Sequence, residues 1–156
     1  VALLVTAAAG HASERDAKEP VQLRADSIEI DRRSGVSRYS GNVSLRQGAL
    51  HLTADRASAT RQQQALETVR AEGNPAVVTQ RSETGTVTIE GRVIVYDATS
   101  RIVTVAQNVR ARRNGDEVQG HELRYDLETE QLDVYGMPGK RVSAVLWPER
   151  STPATR

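Results

Sequence analysis

The chain has 156 residues and a net charge of +1, from 21 basic and 20 acidic side chains; that is the length of one domain and carries no electrostatic footprint of a nucleic-acid binder. Only 3% of it is aromatic, with no Phe and no Cys. The missing large rings, each worth roughly 150–250 Å² of burial, imply a thin or incomplete interior, and the missing thiols exclude disulfides, thiolate nucleophiles and cysteine metal sites.

The longest apolar stretch, residues 1–9, falls far short of the ~20 residues of a membrane-spanning helix. Followed by Gly10-His11-Ala12 and a polar run, it reads as the apolar region and small-residue cleavage site of a secretory signal, incomplete at its start. Residues 1–12 are therefore expected to be a partial signal peptide, cut after Ala12 or, as second choice, Ala9. Residues 13–20 are expected to be a linker, and residues 1–19 are set outside the fold.

From residue 21 to 148 the apolar positions alternate, the period-2 signature of strands. An all-β domain is predicted. Four segments share one departure: apolar at n, n+2 and n+4, then at n+7 and n+9. They are Val21, Leu23, Ala25, Ile28, Ile30; then Leu50, Leu52, Ala54, Ala57, Ala59; then Val87, Ile89, Gly91, Ile94, Tyr96; and, shortened, Val118, Gly120, Leu123, Tyr125. A three-residue step reverses the inward face, so a bulge or bend is expected where the small residue stands. Ala25 to Ala54 and Gly91 to Gly120 span the same interval, and corresponding positions recur at about 66 residues, a period that implies stacked supersecondary units. About four repeated strand-pair units in two 66-residue halves are predicted, forming a folded-over sheet or jelly roll. Asp31, Asp97 and Asp126 head the intervening turns, as suits the first position of a type I turn. The tail, residues 149–156, is polar and expected to be disordered.

The ordered set Val21-Gln22-Leu23-Arg24-Ala25-Asp26, Gly41-Asn42-Val43, Leu50-His51-Leu52-Thr53-Ala54-Asp55, Gly73-Asn74-Pro75-Ala76 and Gly139-Lys140-Arg141-Val142 resembles the OstA family. Gln107 stands where the repeat otherwise prefers Gly. The resemblance implies an open, V-shaped β-jelly roll that holds lipid A acyl chains of lipopolysaccharide between its walls in the periplasm, and head-to-tail self-assembly into a bridge between membranes. It further implies partners with the same type of domain, one anchored in the inner membrane and one in the outer-membrane translocon. The free bridging component is the expected member, and neither cofactor nor nucleic acid is implied.

The residues themselves suit such a role. Exposing a saturated chain costs about 0.8 kcal/mol per methylene, roughly 9 kcal/mol for 12 carbons, so a carrier needs an apolar trough its own side chains do not fill. Val21, Leu23, Ile28, Ile30, Val43, Leu45, Leu50, Leu52, Val78, Ile89, Ile94, Tyr96, Val103 and Leu132 are the expected lining; singly, each reads equally well as sandwich core. Arg24, Arg92 and Lys140 are candidates to meet lipid phosphates. The first strand (22–30) and the last (141–147) are candidate edges for pairing between copies, with Pro20 and Pro148 just outside them. Catalysis finds no support: His51 and His121 have no third ligand or nucleophile at a recognisable spacing, and Asp26 and Asp55 follow the repeat, as structural residues would. A secreted polysaccharide-binding β-sandwich is the alternative, as is a related domain of another transport component.

Overall fold

Residues 16–148 are described in the structure, a computed structural model; the expected signal region 1–12 and tail 149–156 lie outside them. Ten strands follow in order: β1 (Gln22–Arg24), β2 (Ser27–Asp31), β3 (Val36–Gln47), β4 (Leu50–Gln62), β5 (Ala65–Ser82), β6 (Gly85–Asp97), β7 (Ile102–Arg113), β8 (Asp116–Asp126), β9 (Leu132–Tyr135) and β10 (Ser143–Val145). All pair antiparallel in one sheet ordered β1-β3-β4-β5-β6-β7-β8-β10, with β2 also on β3 and β9 also on β8. The chain is all β, as its alternation predicts. Instead of two separate sheets, it builds one continuous sheet folded upon itself.

The fold line is where alternation slips. Pairing shifts register between Ser40 and Val43, Thr53 and Arg56, Glu72 and Ala76, Glu90 and Val93, and Ala106 and Val109. These breaks lie side by side across the sheet. Leu50, Leu52 and Ala54 before the break in β4, and Ala57 and Ala59 after it, are all buried. A strand that changes its inward parity yet buries both halves must fold over at the change. One wall carries β1, β10 and the stretches 43–54, 76–91 and 109–120; the other carries β2, β9 and 36–40, 56–72, 93–106 and 122–126.

Small residues are needed at the line because backbone and side chains converge there. A Cβ on Gly91 would stand 2.4 Å from Val105 Cγ1, and one on Gly120 would stand 2.5 Å from Val134 Cγ1. At the first edge the expected single strand divides in two at Asp26. Its amide donates to Gly41 O (2.8 Å) and its carboxylate accepts from Asn42 Nδ2 (2.9 Å), the structural role its place in the repeat suggests. Gly41 (φ 78°) and Asn42 (φ 48°) are left-handed there; Gln107 (φ 67°) and Asn108 (φ 55°) take up the same pair one half later. Gln107 adopts the glycine conformation at a cost of about 1–2 kcal/mol, a strain the surrounding sheet overcomes.

Three of the hairpin turns share one device. The Oδ1 atoms of Asp31, Asp97 and Asp126 each accept from the amides two and three residues on, at 2.9–3.3 Å. Each turn closes with a bond back to the Asp carbonyl from a left-handed residue: Gly35, Arg101 or Glu130.

Candidate functional site

Cross-strand pairing lines the inner faces with continuous rows. In the first wall, Leu23, Leu45, Leu52, Val78, Ile89, Ala111 and Val118 stand directly opposite one another in succession. In the second, Ile28, Tyr39, Ala57, Ala71, Ile94, Val105, Leu123 and Val134 form one row. Beside it runs another of Ala59, Val69, Tyr96, Val103, Tyr125 and Leu132. Alanines on β4 and β5 keep the second wall shallow in its middle.

The expected lining residues divide between two settings. Val43, Leu45, Leu50, Leu52, Val78, Ile89, Ile94, Tyr96 and Val103 are each at most 3% exposed, so over the middle of the fold the walls touch and fill the space between them. Val21, Leu23 and Leu132 are half-buried, while Ile28 and Ile30 are 49% and 67% exposed. The slit is thus closed at its centre and open towards its ends. At the β2 end a cavity of about 1320 Å³ is lined by Pro20, Val21, Leu23, Ile28, Ile30, Tyr39, Ala59 and Leu66, with Arg32, Arg33 and Arg61 also on its wall. Small-molecule sites usually span about 300–1,000 Å³, so this mouth is large for a single compact ligand. A smaller hollow of about 160 Å³ at the other end is bounded by Val87, Ala111, Val118, Tyr125 and Leu132. Arg24, Arg92 and Lys140 are exposed and line neither opening.

Opposite the fold line, polar side chains tie the walls along the lip of the slit. Tyr96 donates through its hydroxyl to Gln47 Oε1 (2.6 Å), and Tyr125 donates to Gln80 Oε1 (2.7 Å). Both bonds join strands three positions apart in the sheet, β3 to β6 and β5 to β8, so the walls are staggered. Stagger explains the open ends: the first strands of the second wall have no opposite number. Gln80 also donates to Leu127 O (3.3 Å), and Arg101 Nη1 donates to Gln47 Oε1 (2.7 Å) and Tyr96 OH (2.6 Å). Further along, Arg113 meets Thr84 and lies 3.9 Å from Glu130. The two left-handed turn residues Arg101 and Glu130 therefore reach across the lip, whereas their counterpart Gly35, at the open mouth, has no side chain to do so.

The N-terminal segment closes the first tie. Residues 16–18 form one helical turn. Gln47 Nε2 donates to Ala17 O (3.3 Å) and Glu19 O (3.1 Å), and the Ala49 amide donates to Asp16 Oδ2 (3.1 Å). Residues 16–19, set outside the fold by sequence reading, are hydrogen-bonded to it. Sequence reading also missed Gln47, Gln80 and Arg101. The signal for the glutamines was present, since each continues an inward row (Val43, Leu45, Gln47; Ala76, Val78, Gln80) with a polar residue.

Burial pushes the Tyr125 hydroxyl up to about 12, with the nearby Glu130 carboxylate acting in the same direction. Burial likewise raises Tyr96, opposed by Arg101. Both phenols stay protonated, and can donate across the lip, throughout the neutral range. A tyrosine that holds its proton more tightly folded than unfolded stabilises the fold fully below its unfolded pKa near 10 and loses that contribution as pH rises to about 12. Urea denaturation of wild type should show midpoints falling across that window, and Tyr125→Phe should show a shallower fall. His51 is partly buried on the outer face, where burial, with the Arg46 charge in addition, lowers its pKa. Among the described residues no set of three His, Cys, Asp or Glu side chains is placed to hold a metal ion, and no helix is long and apolar enough to cross a membrane.

The two edges are as distinctive as the slit. Among the described residues β1 and β2 pair only with β3, and β9 and β10 only with β8. The first edge exposes Ile28 and Ile30; the far end exposes Tyr135, Met137, Val142, Val145, Leu146 and Trp147. A single antiparallel sheet, folded along one line over an apolar interior and unclosed at both ends, defines an open β-jelly roll.

Residues 22–131 match the family described as "LptA/(LptD N-terminal domain) LPS transport protein". The chain belongs to that family. It is 25% identical over 152 residues to the lipopolysaccharide export system protein LptA of Escherichia coli K12, covering 95% of this chain and 82% of the relative. Against LptH of Pseudomonas aeruginosa the identity is 26% over 132 residues, 83% and 75% of the two chains. The crystal structure of LptH, the LptA-homologous periplasmic component of a lipopolysaccharide transport device, superposes with a TM-score of 0.80 at 24% identity, over 86% of this chain and 99% of that one.

Proposed function

We propose that this protein is a non-catalytic lipopolysaccharide carrier of the periplasm that shields lipid A acyl chains in its slit and forms one link of a head-to-tail protein bridge between the inner and outer membranes. The observation that carries the reading is the mouth at Val21, Leu23, Ile28 and Ile30, an apolar opening continuous with rows of aliphatic side chains. The export role carried in the names of its relatives supports it. Chains entering at the mouth exchange contact between the walls for contact with the chain, so the core loses little apolar burial while each 12-carbon chain regains roughly 9 kcal/mol. Admission requires the lip to separate while the row of small residues acts as the hinge.

Continuity between subunits follows from the same cost, because every methylene crossing a gap is wetted. Each end offers a strand edge with unsatisfied backbone groups flanked by exposed apolar side chains, a surface suited to strand addition. The two edges differ, so pairing is heterologous and open-ended. The same edges would serve the partners of this reading, the like domains of an inner-membrane anchored component and of the outer-membrane translocon. Calorimetry should show saturable binding of lipopolysaccharide and none of soluble glycans; binding of the glycans alone would favour the polysaccharide-binding reading. Light scattering over a hundredfold concentration range should show mass rising above that of the monomer. A constant monomer mass would remove the assembly.

A further inference from the structure

The most unusual side chain in the fold is Arg101. It is 3% exposed and forms no ion pair among the described residues. One of its nitrogens, Nη1, is bound to Gln47 and Tyr96; the other two, Nε and Nη2, are shielded from solvent and have no hydrogen-bond partner among the described residues. Those two form the side-on edge of the guanidinium, two parallel N–H groups spaced to grip two oxygens of one carboxylate or phosphate. A buried cation with neither counter-charge nor full hydrogen bonding is costly to keep. Arg101 also holds φ at 61° where the equivalent residue of the first unit is Gly35, adding backbone strain. The Tyr96 ring, its centroid 5.9 Å from Arg101 Cζ, offsets part of the first cost, but among the described residues no group supplies the missing counter-charge.

Its position suggests what does. Arg101 stands on the lip, between solvent and the apolar rows, and Tyr96 and Gln47 fix Nη1 so that the free edge is held in place. We propose that the Nε–Nη2 edge of Arg101 is an oxyanion receptor that takes a phosphate monoester of an amphiphile whose acyl chains occupy the slit. The inference rests on the carrier reading above and assigns the headgroup contact within it. Phosphate suits the site better than a neutral sugar hydroxyl, because it supplies both the two oxygens and the charge. The site is reached when the lip parts, which couples recognition of the headgroup to admission of the chains.

Equilibrium binding of a phosphorylated lipid A, and of the same lipid after phosphatase treatment, tests this on wild type, Arg101→Gln and Arg101→Lys. Wild type is expected to prefer the phosphorylated lipid by about tenfold or more, Arg101→Lys by less, and Arg101→Gln by under about twofold. A preference in Arg101→Gln equal to that of wild type overturns the proposal, as does an absence of preference in wild type. Should Arg101→Gln lack a cooperative melting transition, Arg101→Lys decides by the same comparison. Inorganic phosphate alone at millimolar concentration is expected to raise the melting temperature of neither wild type nor Arg101→Lys; a rise in wild type that Arg101→Lys lacks would assign the edge to free phosphate and overturn the lipid source. If wild type binds neither lipid, the carrier reading fails instead.

Discussion

Replacing Ile28 and Ile30 together by aspartate is expected to weaken lipopolysaccharide binding by about 100-fold or more while changing folding stability by no more than about 1 kcal/mol. The two side chains are among the most exposed hydrophobics of the structure and line its open mouth, so the folded protein gains little from them. Surface substitutions typically stay within about 0.5 kcal/mol each. An acyl chain laid against both would bury them, at about 1.5–3 kcal/mol per fully covered aliphatic side chain, and 2.7 kcal/mol is already about 100-fold in affinity. Two carboxylates in that position would also have to be desolvated. Calorimetric titration of dilute, monomeric protein separates this effect from any on edge pairing. Unchanged affinity would place the acyl chains elsewhere.

The second large effect is on the fold itself. Gly91→Ala should destabilise the protein by about 2–3 kcal/mol, a large part of a typical total of roughly 5–15 kcal/mol. The added Cβ would meet Val105 Cγ1 at 2.4 Å, in a row where Val105 is fully buried, with Ala106 O at 3.2 Å. Ala54, at the equivalent place in β4, is buried, only 8% exposed, and already accommodates its methyl. Ala54→Gly should therefore cost only about 1 kcal/mol. Urea denaturation of both variants measures the difference; equal costs would mean that the fold line does not depend on close approach at Gly91.

The bent sheet was legible in the sequence because strand parity is a local property. Each small residue at Ala54, Gly91 and Gly120 lies where its neighbours change face, and pairing places the breaks there. The turn aspartates were legible for the same reason, since the bonds their side chains accept span three residues or fewer. What lay beyond reach depends on how one wall sits over the other. The three-strand stagger is a relation between strands far apart along the chain, shown by the Gln47–Tyr96 and Gln80–Tyr125 ties, and local alternation carries no record of it. Hence Leu52 and Ile94 were legible as inward residues, whereas their sealing at the centre and the opening at Ile28 and Ile30 were not. The lip is a harder case still. Gln47 meets Tyr96 across 49 residues of sequence and Gln80 meets Tyr125 across 45, while Arg101 meets Gln47 across 54 and Tyr96 around a turn. The docking of residues 16–19 depends on Gln47 as well, and went unread with it.

The direct trial of acyl chains lying between the walls is photo-crosslinking with a photoreactive amino acid at Leu23, Tyr96 or Gln22. Leu23 borders the open mouth, Tyr96 lies sealed inside, and Gln22 is exposed on the outer side of the same strand as Leu23. Lipopolysaccharide adducts at Leu23 and Tyr96, with none at Gln22, are the expected result. Equal labelling at all three positions, or labelling at Gln22 alone, would contradict it.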